Sequence, residues 1–436
     1  MARERVLVVG GGVAGLVAAR RLAAAGIPVT LLEASDRLGG QLAHQTVAGV
    51  EVDAAAESFA TRGGQVAALA TELGLGGEIV TPLDAPAWLH RADGSSLPLP
   101  ATSLLGIPAV PLAADVIQAV GVRAALRAQL DVLQPGPRGA KSQTLGELVR
   151  TRMGAGVLEQ LVAPVVRGVH SVHPDELEVD RAAPGLRTAL LREGSLGHAV
   201  RSLRDRAPAG SQVAGLRGGV HRLVIELVAD LERFGAELRT GARVRAAEPG
   251  RVVLEGGEVI EGEVFVAAPG LARPARAARR IHLATLAVEA PELRDDPRGT
   301  GVLVAPDARD VAARALTHST AKWAWLRERA GGLEIVRLSY DEKPASLAQV
   351  RADASALLGV PVPEPVEAVV VEWTRGAPSP EGVDGMRLLG EAGATTGLAA
   401  IVREAGEQAE RFLSGGVDPE GGAPSVGTPS PTQSGS

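Results

Sequence analysis

The chain opens on a short run of β-branched apolar residues, Val6-Leu7-Val8-Val9, which contains no polar position and stops at Gly10-Gly11-Gly12. Such a run predicts a strand buried on both faces. From Val13 to Ala25 the pattern takes a helical period. Leu16, Ala19 and Leu22-Ala23 recur along one face that would lie on a sheet, and Gly26 supplies a C-terminal cap. Val29-Thr30-Leu31-Leu32 is a second apolar run, ending in Glu33, so the opening unit reads strand, helix, strand.

Further along, Gly63-Gly64 opens a helix through Leu75, and from Pro82 to about Arg204 helical patterns are broken by Pro and Gly. Asp93-Gly94 is a hairpin signal between Trp88-Leu89-His90 and Leu97-Pro98-Leu99. Leu112 to Leu133, Thr144 to Met153 and Val157 to Val166 carry apolar residues three and four apart, which predicts a helical domain inserted into the first one. A Gly218-Gly219 turn then leads to a helix ending near Phe234, followed by short strands at Glu237 to Thr240, Ala242 to Val244 and Gly262 to Pro269. Between Ile281 and Glu372, runs such as Leu283 to Val288, Gly301 to Val304 and Ile335 to Ser339 predict an open sheet flooring a substrate cavity. Leu388 to Glu391 is a closing strand, and a helix runs on to Leu413. Residues 415–436 are Gly, Pro, Ser and Thr with hardly a large apolar side chain, so this tail is expected to be disordered.

The glycines of the opening unit carry candidate chemistry. Gly10, Gly12 and Gly15 stand in GxGxxG spacing between a strand and a helix. Gly10 suits the tight turn, Gly12 lets backbone approach a pyrophosphate, and Gly15 lets the helix pack close to the strand. The helix N-terminus at Val13 and Ala14 then offers N–H groups and the positive end of its dipole to the phosphates. Glu33, ending the second strand, is placed to accept both ribose hydroxyls of an adenosine and would repel a 2′-phosphate, which favours FAD or NAD over NADP.

Composition narrows the rest. At 436 residues, 45% of them hydrophobic, the chain is long enough for two domains with cores of their own. A net charge of −6 argues against a nucleic-acid surface. With no Cys there is no disulfide framework, no thiolate metal site and no cysteinyl link to a flavin. His170 and His173 lack the further ligands a metal pair needs, so no metal is expected. Met1 runs almost directly into the first strand and no apolar run reaches bilayer-spanning length, so the expectation is a cytoplasmic protein without a transmembrane segment.

Glu33-Ala34-Ser35-Asp36-Arg37-Leu38-Gly39-Gly40 has the form E-x-x-x-R-x-G-G, which resembles the flavoprotein family of amine oxidases, phytoene desaturases and protoporphyrinogen oxidases. The resemblance implies that Arg37, Gly39 and Gly40 hold the FAD pyrophosphate. Gln41 stands where that family usually has Arg. Val52 to Phe59 resembles the segment that turns against the flavin ring, with Ala55 in place of a usual Gly, and Arg62 after it is implied to take a substrate propionate. Ala163 to Val169 resembles the segment in which Arg-Gly-Val lies by the tetrapyrrole, which implies that Gly168 admits a flat macrocycle. Thr317 to Trp323 resembles the bacterial porphyrinogen-oxidising branch, with Lys322 a possible propionate partner or a solvated strand residue. By the same resemblance Val244 meets the adenine through its backbone. Gly390, Glu391, Thr396 and Leu398 belong to the closing turn and helix start against the flavin, where Thr395 replaces a Gly and the preceding span, Trp373 to Gly385, is short.

The resemblance implies an α/β protein: an FAD-binding Rossmann-like domain of the glutathione-reductase type, from residues 1–81, 205–270 and 381–414, with an inserted α+β substrate domain from 82–204 and 271–380. The implied activity is oxidation of coproporphyrinogen III to coproporphyrin III, with non-covalent FAD, dioxygen as acceptor and a tetrapyrrole substrate, in haem biosynthesis. Protoporphyrinogen IX is the alternative substrate. An amine oxidase is a further alternative, although that chemistry uses an aromatic pair facing the flavin and this chain has one Tyr and four Trp. A flavin-binding paralogue without turnover is the non-enzyme alternative, resting on Gln41, Ala55, Thr395 and the short span. No side-chain base is evident, and monomer and dimer are both left open.

Overall fold

A computed structural model of the chain describes residues 5–61, 63–170, 172–205, 213–272, 276–377, 386–393 and 395–415. The chain divides into two compact units, one drawn from Met1–Gly40, Val224–Ala277 and Gly376–Ser436, the other from Gln41–Leu223 and Ala278–Arg375.

The first unit is built on the predicted opening. Val6–Val9 lies at the centre of a five-stranded sheet in the order Glu237–Arg239, Val29–Leu32, Val6–Val9, Glu263–Val266, Arg387–Leu388. Every pairing in it is parallel. All four residues of the central strand are buried, as an uninterrupted apolar run in a doubly covered parallel sheet requires. The helix Val13–Ala24 buries Leu16, Val17, Ala19 and Leu22, and Gly26 ends it at φ +77 as expected of a cap. Arg20 on this helix is fixed by Asp230, whose Oδ2 accepts from Nε at 2.7 Å. A three-stranded antiparallel sheet, Val244–Glu248, Arg251–Leu254 and Val259–Glu261, packs Val244, Val252 and Leu254 against Leu7, Val9 and Val266. Two boundaries differ from the sequence reading: the strand expected at Ala242 to Val244 begins at Val244, and that expected at Leu388 to Glu391 is Arg387–Leu388 followed by a 3₁₀ turn, Gly390–Gly393.

The second unit carries the open sheet. Its order is Glu367–Ala377, Arg276–Val288, Glu334–Tyr340, Ala315–His318, Gly301–Val304, Ala87–His90, Ser96–Pro98. Gly301–Val304 pairs in parallel with Ala87–His90, and Ala87–His90 forms the predicted hairpin with Ser96–Pro98 across Asp93-Gly94. Alternation along Glu334–Tyr340 divides its residues between the two faces. Val336, Leu338 and Tyr340 face a core shared with the helix Leu347–Leu358, while Ile335 faces Val47, Val50, Val52, Trp323 and Leu326. Arg337 therefore projects on the Ile335 side.

The helical part of this unit contains Ala114–Gln129, Leu145–Arg152, Ala163–His170, Leu186–Glu193 and Leu196–Asp205 around a single apolar cluster. The helix expected from Leu112 to Leu133 is interrupted at Gly121, whose φ of +78 and ψ of 158 leave the helical region, and it finishes in a 3₁₀ turn, Leu130–Leu133. Lys322, read in sequence as on a strand, ends a short helix, Ser319–Lys322. Among the described residues no helix is long and apolar enough to cross a membrane. The expected tail, apart from Gly415, and most of the short span before the closing strand lie outside the described residues.

Candidate functional site

In the first unit the central strand stops at Gly10, whose φ of +105 falls where an L side chain is strained. A Cβ on Gly15 would stand 2.0 Å from the carbonyl oxygen of Gly10, so the helix can approach the turn this closely only with glycine there. A Cβ on Gly12 would meet nothing within 4 Å, so this stretch of backbone is open to an approaching group. The helix starts at Val13 with no side-chain cap. Its first-turn N–H groups, those of Val13 and Ala14 among them, are left to bind an anion together with the positive end of the dipole.

The second glycine turn folds back on the first. The N–H of Gly39 donates to the Gly11 carbonyl at 2.8 Å, and Gly12 and Gly39 form a parallel bridge. Arg37 closes its own loop, Nη2 donating to the Gly40 carbonyl at 2.9 Å. Gly40 has φ +56, and a Cβ there would lie 3.1 Å from Gly12 Cα. Glu33 accepts from the N–H of Gly11 at 2.7 Å through Oε2, and from the N–H and hydroxyl of Ser35, each at 2.8 Å, through Oε1. A carboxylate has about four acceptor positions, so three are in use. Taking both ribose hydroxyls requires the Ser35 hydroxyl to yield one.

Val244 is buried in the apolar cluster, which leaves only its backbone for an adenine. Its segment is held by Ala242, whose N–H donates to the Glu33 carbonyl at 2.8 Å. The closing turn stands against the first helix: a Cβ on Gly390 would be 2.8 Å from Ala14 Cβ. Glu391 and Thr396 are half-buried beside it, and Leu398 begins the helix Leu398–Leu413 behind Gly397. The structure thus brings Gly10, Gly12, Val13, Ala14, Gly15, Glu33, Arg37, Gly39, Gly40 and Gly390 into one neighbourhood, from three separate stretches of sequence.

The second unit holds the remaining candidates. Gln41 is its first residue, and Arg62 lies outside the described residues. Gly168 lies inside the helix Ala163–His170, where a Cβ would come within 2.5 Å of Leu303 Cδ2. This glycine serves close packing of helix on sheet, and the direction its side chain would take is already filled. Lys322 is not the solvated strand residue of the second sequence alternative: its Nζ donates to Glu57 Oε1 at 2.7 Å with the side chain 17% exposed. Arg337 Nη2 reaches Glu57 Oε2 at 3.1 Å, and Ser319 donates to the same oxygen at 3.2 Å. Burial would raise the Glu57 pKa, but the charges of Lys322 and Arg337 and the bonds from Lys322 and Ser319 prevail, and it lies at about 2. A pocket beside this trio is lined by Asp53, Glu57, Ser319, Arg337, Trp323 and Trp325, and the buried Trp325 Nε1 has no hydrogen-bond partner among the described residues. Glu57 and Arg337 were not singled out in the sequence. The available signal was an Arg between the apolar Val336 and Leu338, where a cation needs an anion.

Comparison with known proteins adds the decisive observation. The model of the family described as flavin containing amine oxidoreductase matches residues 13–283. The chain belongs to that family. A coproporphyrinogen III oxidase of Mycobacterium leprae is 31% identical over 87% of this chain and 88% of its own, and that of Bacillus subtilis is 24% identical over 74% of each. Among solved structures, a provisionally named protoporphyrinogen oxidase from Exiguobacterium sp. 255-15 superposes with a TM-score of 0.78 at 23% identity, covering 95% of this chain and all of that one. Putrescine oxidase bound to putrescine gives 0.62 at 15% identity, covering 94% and 99%. The fold is therefore the Rossmann-like flavoprotein fold expected from the sequence, and this family member is a flavin-dependent oxidoreductase.

The residues present fit a flavin with a phosphate end, because the space above Gly12, the uncapped helix at Val13 and the acid at Glu33 converge at one turn. Gly15→Ala should remove the bound flavin from this oxidoreductase. Its new methyl group would overlap the Gly10 carbonyl and force helix and strand apart. The check is the flavin-to-protein absorbance ratio of the purified variant, and a parental ratio would show that the turn can relax.

Proposed function

We propose that the chain oxidises coproporphyrinogen III to coproporphyrin III with non-covalently bound FAD and dioxygen as acceptor, as a cytoplasmic step of haem biosynthesis. The observation that carries this reading is the relatedness, over nearly nine-tenths of both chains, to proteins named coproporphyrinogen III oxidase. FAD, when bound, would supply a two-electron acceptor for hydride, used three times per substrate in this six-electron oxidation, with three dioxygen molecules reduced to hydrogen peroxide. The chain's own residues bind and orient. The backbone around Gly10, Gly12, Val13 and Ala14 holds the pyrophosphate, supported by Arg37, Gly39, Gly40 and Gln41. Glu33 holds the ribose, the backbone of Val244 the adenine, and the turn from Gly390 and Glu391 to Thr396 and Leu398 the flavin edge. The absence of Cys supports a non-covalent cofactor.

The substrate carries several carboxylates. Lys322 and Arg337 hold Glu57 beside a pocket that Asp53 and two indoles also line, and the Arg337 guanidinium is the group there that would meet a propionate next to a flat ring. In this reading Arg62 supplies a further bidentate anchor, and Gly168, packed against Leu303, is left out of the macrocycle site. Amine oxidation is disfavoured because the one tyrosine, Tyr340, is 1% exposed and packed in the apolar core with Leu338 and Leu357.

Incubating the purified protein with coproporphyrinogen III and, separately, protoporphyrinogen IX while following porphyrin fluorescence tests the proposal. Faster product from the first supports it, faster product from the second moves the assignment to protoporphyrinogen, and fluorescence from neither leaves a flavin-binding paralogue. Glu33→Ala should weaken FAD binding by about 1.5–3 kcal/mol, through loss of charge-assisted bonds to the ribose. Excess FAD should restore flavin content, measured by equilibrium dialysis; parental affinity would place Glu33 away from the ribose.

A further inference from the structure

The hairpin His44–Val47 and Val50–Asp53 pairs His44 opposite Asp53 and Thr46 opposite Glu51. Two-residue alternation sends Val47, Val50 and Val52 into the apolar core and leaves His44, Glu51 and Asp53 on the opposite face. His44 and Glu51 are diagonal neighbours there. His221, distant in sequence and buried, meets this face. Gly219 makes room for it, since a Cβ at that position would come within 2.5 Å of His221 Nδ1.

Asp53 fixes the imidazole. Its Oδ1 accepts from the His221 backbone N–H at 3.0 Å and lies 2.8 Å from Nδ1, and its Oδ2 accepts from the N–H of Val220 at 2.9 Å. Nε2 is thereby turned toward Glu51 Oε1, 3.0 Å away. The His44 ring stands edge-on to that of His221 with centroids 4.9 Å apart. One ligand atom each from His44, Glu51 and His221 lies within 4.8 Å of the others.

We propose that His44, Glu51 and His221 form a site for a divalent transition-metal ion of the Zn²⁺ class, with Asp53 orienting His221 from behind. Two imidazoles and one carboxylate are a borderline donor set that suits such an ion and leaves a position for water. The buried carboxylate on the far nitrogen of a ligand histidine is the feature that sets tautomer and ring direction in metal sites. A tetrahedral ion with bonds of about 2.0–2.1 Å needs ligand atoms about 3.4 Å apart. The present spread therefore closes by a swing of about 1.4 Å, which the exposed His44 side chain supplies. The ion would tie the hairpin to the Gly218-Gly219 turn. Its ligand Glu51 lies two residues before Asp53, whose carbonyl accepts from Arg337 Nη1 at 3.2 Å.

The test uses the full-length protein with its flavin, dialysed against EDTA and then against chelator-free buffer at neutral pH. Titration with Zn²⁺ by calorimetry, and with Co²⁺ by visible absorption, should give one ion per chain at micromolar concentration, with Co²⁺ bands of a four- or five-coordinate nitrogen and oxygen site. His44→Ala and Glu51→Gln alter side chains that lie outside the core, and each should weaken Zn²⁺ at least tenfold. His221→Ala should abolish binding, but it also strips Asp53 of its partner, so the other two variants carry the decision. Failure of the parent to take up Zn²⁺ below about 100 μM, or parental affinity in His44→Ala, would overturn the assignment.

Discussion

Arg152→Leu should destabilise the protein by about 3–5 kcal/mol, the cost of breaking a buried ion pair from one side. Arg152 is fully buried, and all five of its N–H donors are placed. Nε donates to Asp131 Oδ1, Nη1 to the carbonyls of Pro135 at 2.8 Å and Arg138 at 3.3 Å, and Nη2 to those of Asp131 at 3.1 Å and Gly194 at 2.8 Å. Asp131 uses its second oxygen to accept from the N–H of Gly197 at 3.0 Å. One guanidinium thus joins the end of the helix Leu145–Arg152, the 3₁₀ turn Leu130–Leu133, the loop after it and the turn before Leu196–Asp205. Leucine fills part of the volume but leaves the buried Asp131 carboxylate without its cation and takes the guanidinium donors from four carbonyls, of which those of Asp131 and Pro135 keep a backbone N–H. Arg152→Lys keeps the charge and loses the fork, so it should recover only part of the loss. Adding Asp131→Leu to Arg152→Leu should also recover stability, because no buried charge then stands alone. Urea unfolding followed by far-UV circular dichroism measures all four proteins; a cost below about 1 kcal/mol for Arg152→Leu would show that water reaches the site.

The opening unit was readable because its determinants are local. Strand, turn, helix and second strand follow one another within forty residues, and each glycine answers a steric need of its near neighbours: Gly15 that of Gly10, Gly40 that of Gly12. Distant pairs gave no such signal. Lys322 and Glu57 are separated by 265 positions, and an isolated cation in sequence does not name its partner. The Ser319–Lys322 stretch reads as strand by residue type, but Thr320 Oγ1 donates to Glu334 and His318 Nε2 lies 3.0 Å from the same carboxylate oxygen. These contacts hold the chain in a helical turn where propensity alone would extend it. Gly168 shows the same limit. The need for glycine comes from Leu303 on a strand far along the chain, so the sequence offered a macrocycle or a helix cap and not the side chain that packs there. The histidine and acids around His221 escaped notice for the same reason, since the two that flank it lie some 170 positions away.

Acid should destabilise this protein through Glu57 in a window that can be stated in advance. Its folded-state pKa of about 2 lies below its ordinary 4.5, because Lys322 and Arg337 favour the carboxylate more than burial penalises it. A lowered folded-state pKa means that the unfolded chain takes up the proton first. The stabilising contribution is therefore complete above about pH 4.5 and is lost as pH falls toward 2, amounting to about 3 kcal/mol over that range. The side chain is 11% exposed, so solvent screens the pair weakly. Glu57→Gln should be less stable than the parent at neutral pH, since Lys322 and Arg337 are then left facing each other with no anion between them. It should also show a flatter decline between pH 4.5 and 2, having no carboxylate to titrate. Chemical unfolding at a series of pH values on both proteins gives the two slopes. Equal slopes would mean that Glu57 titrates alike in the folded and unfolded chains, and the trio would then be a solvated surface contact with no role in holding the pocket's charge.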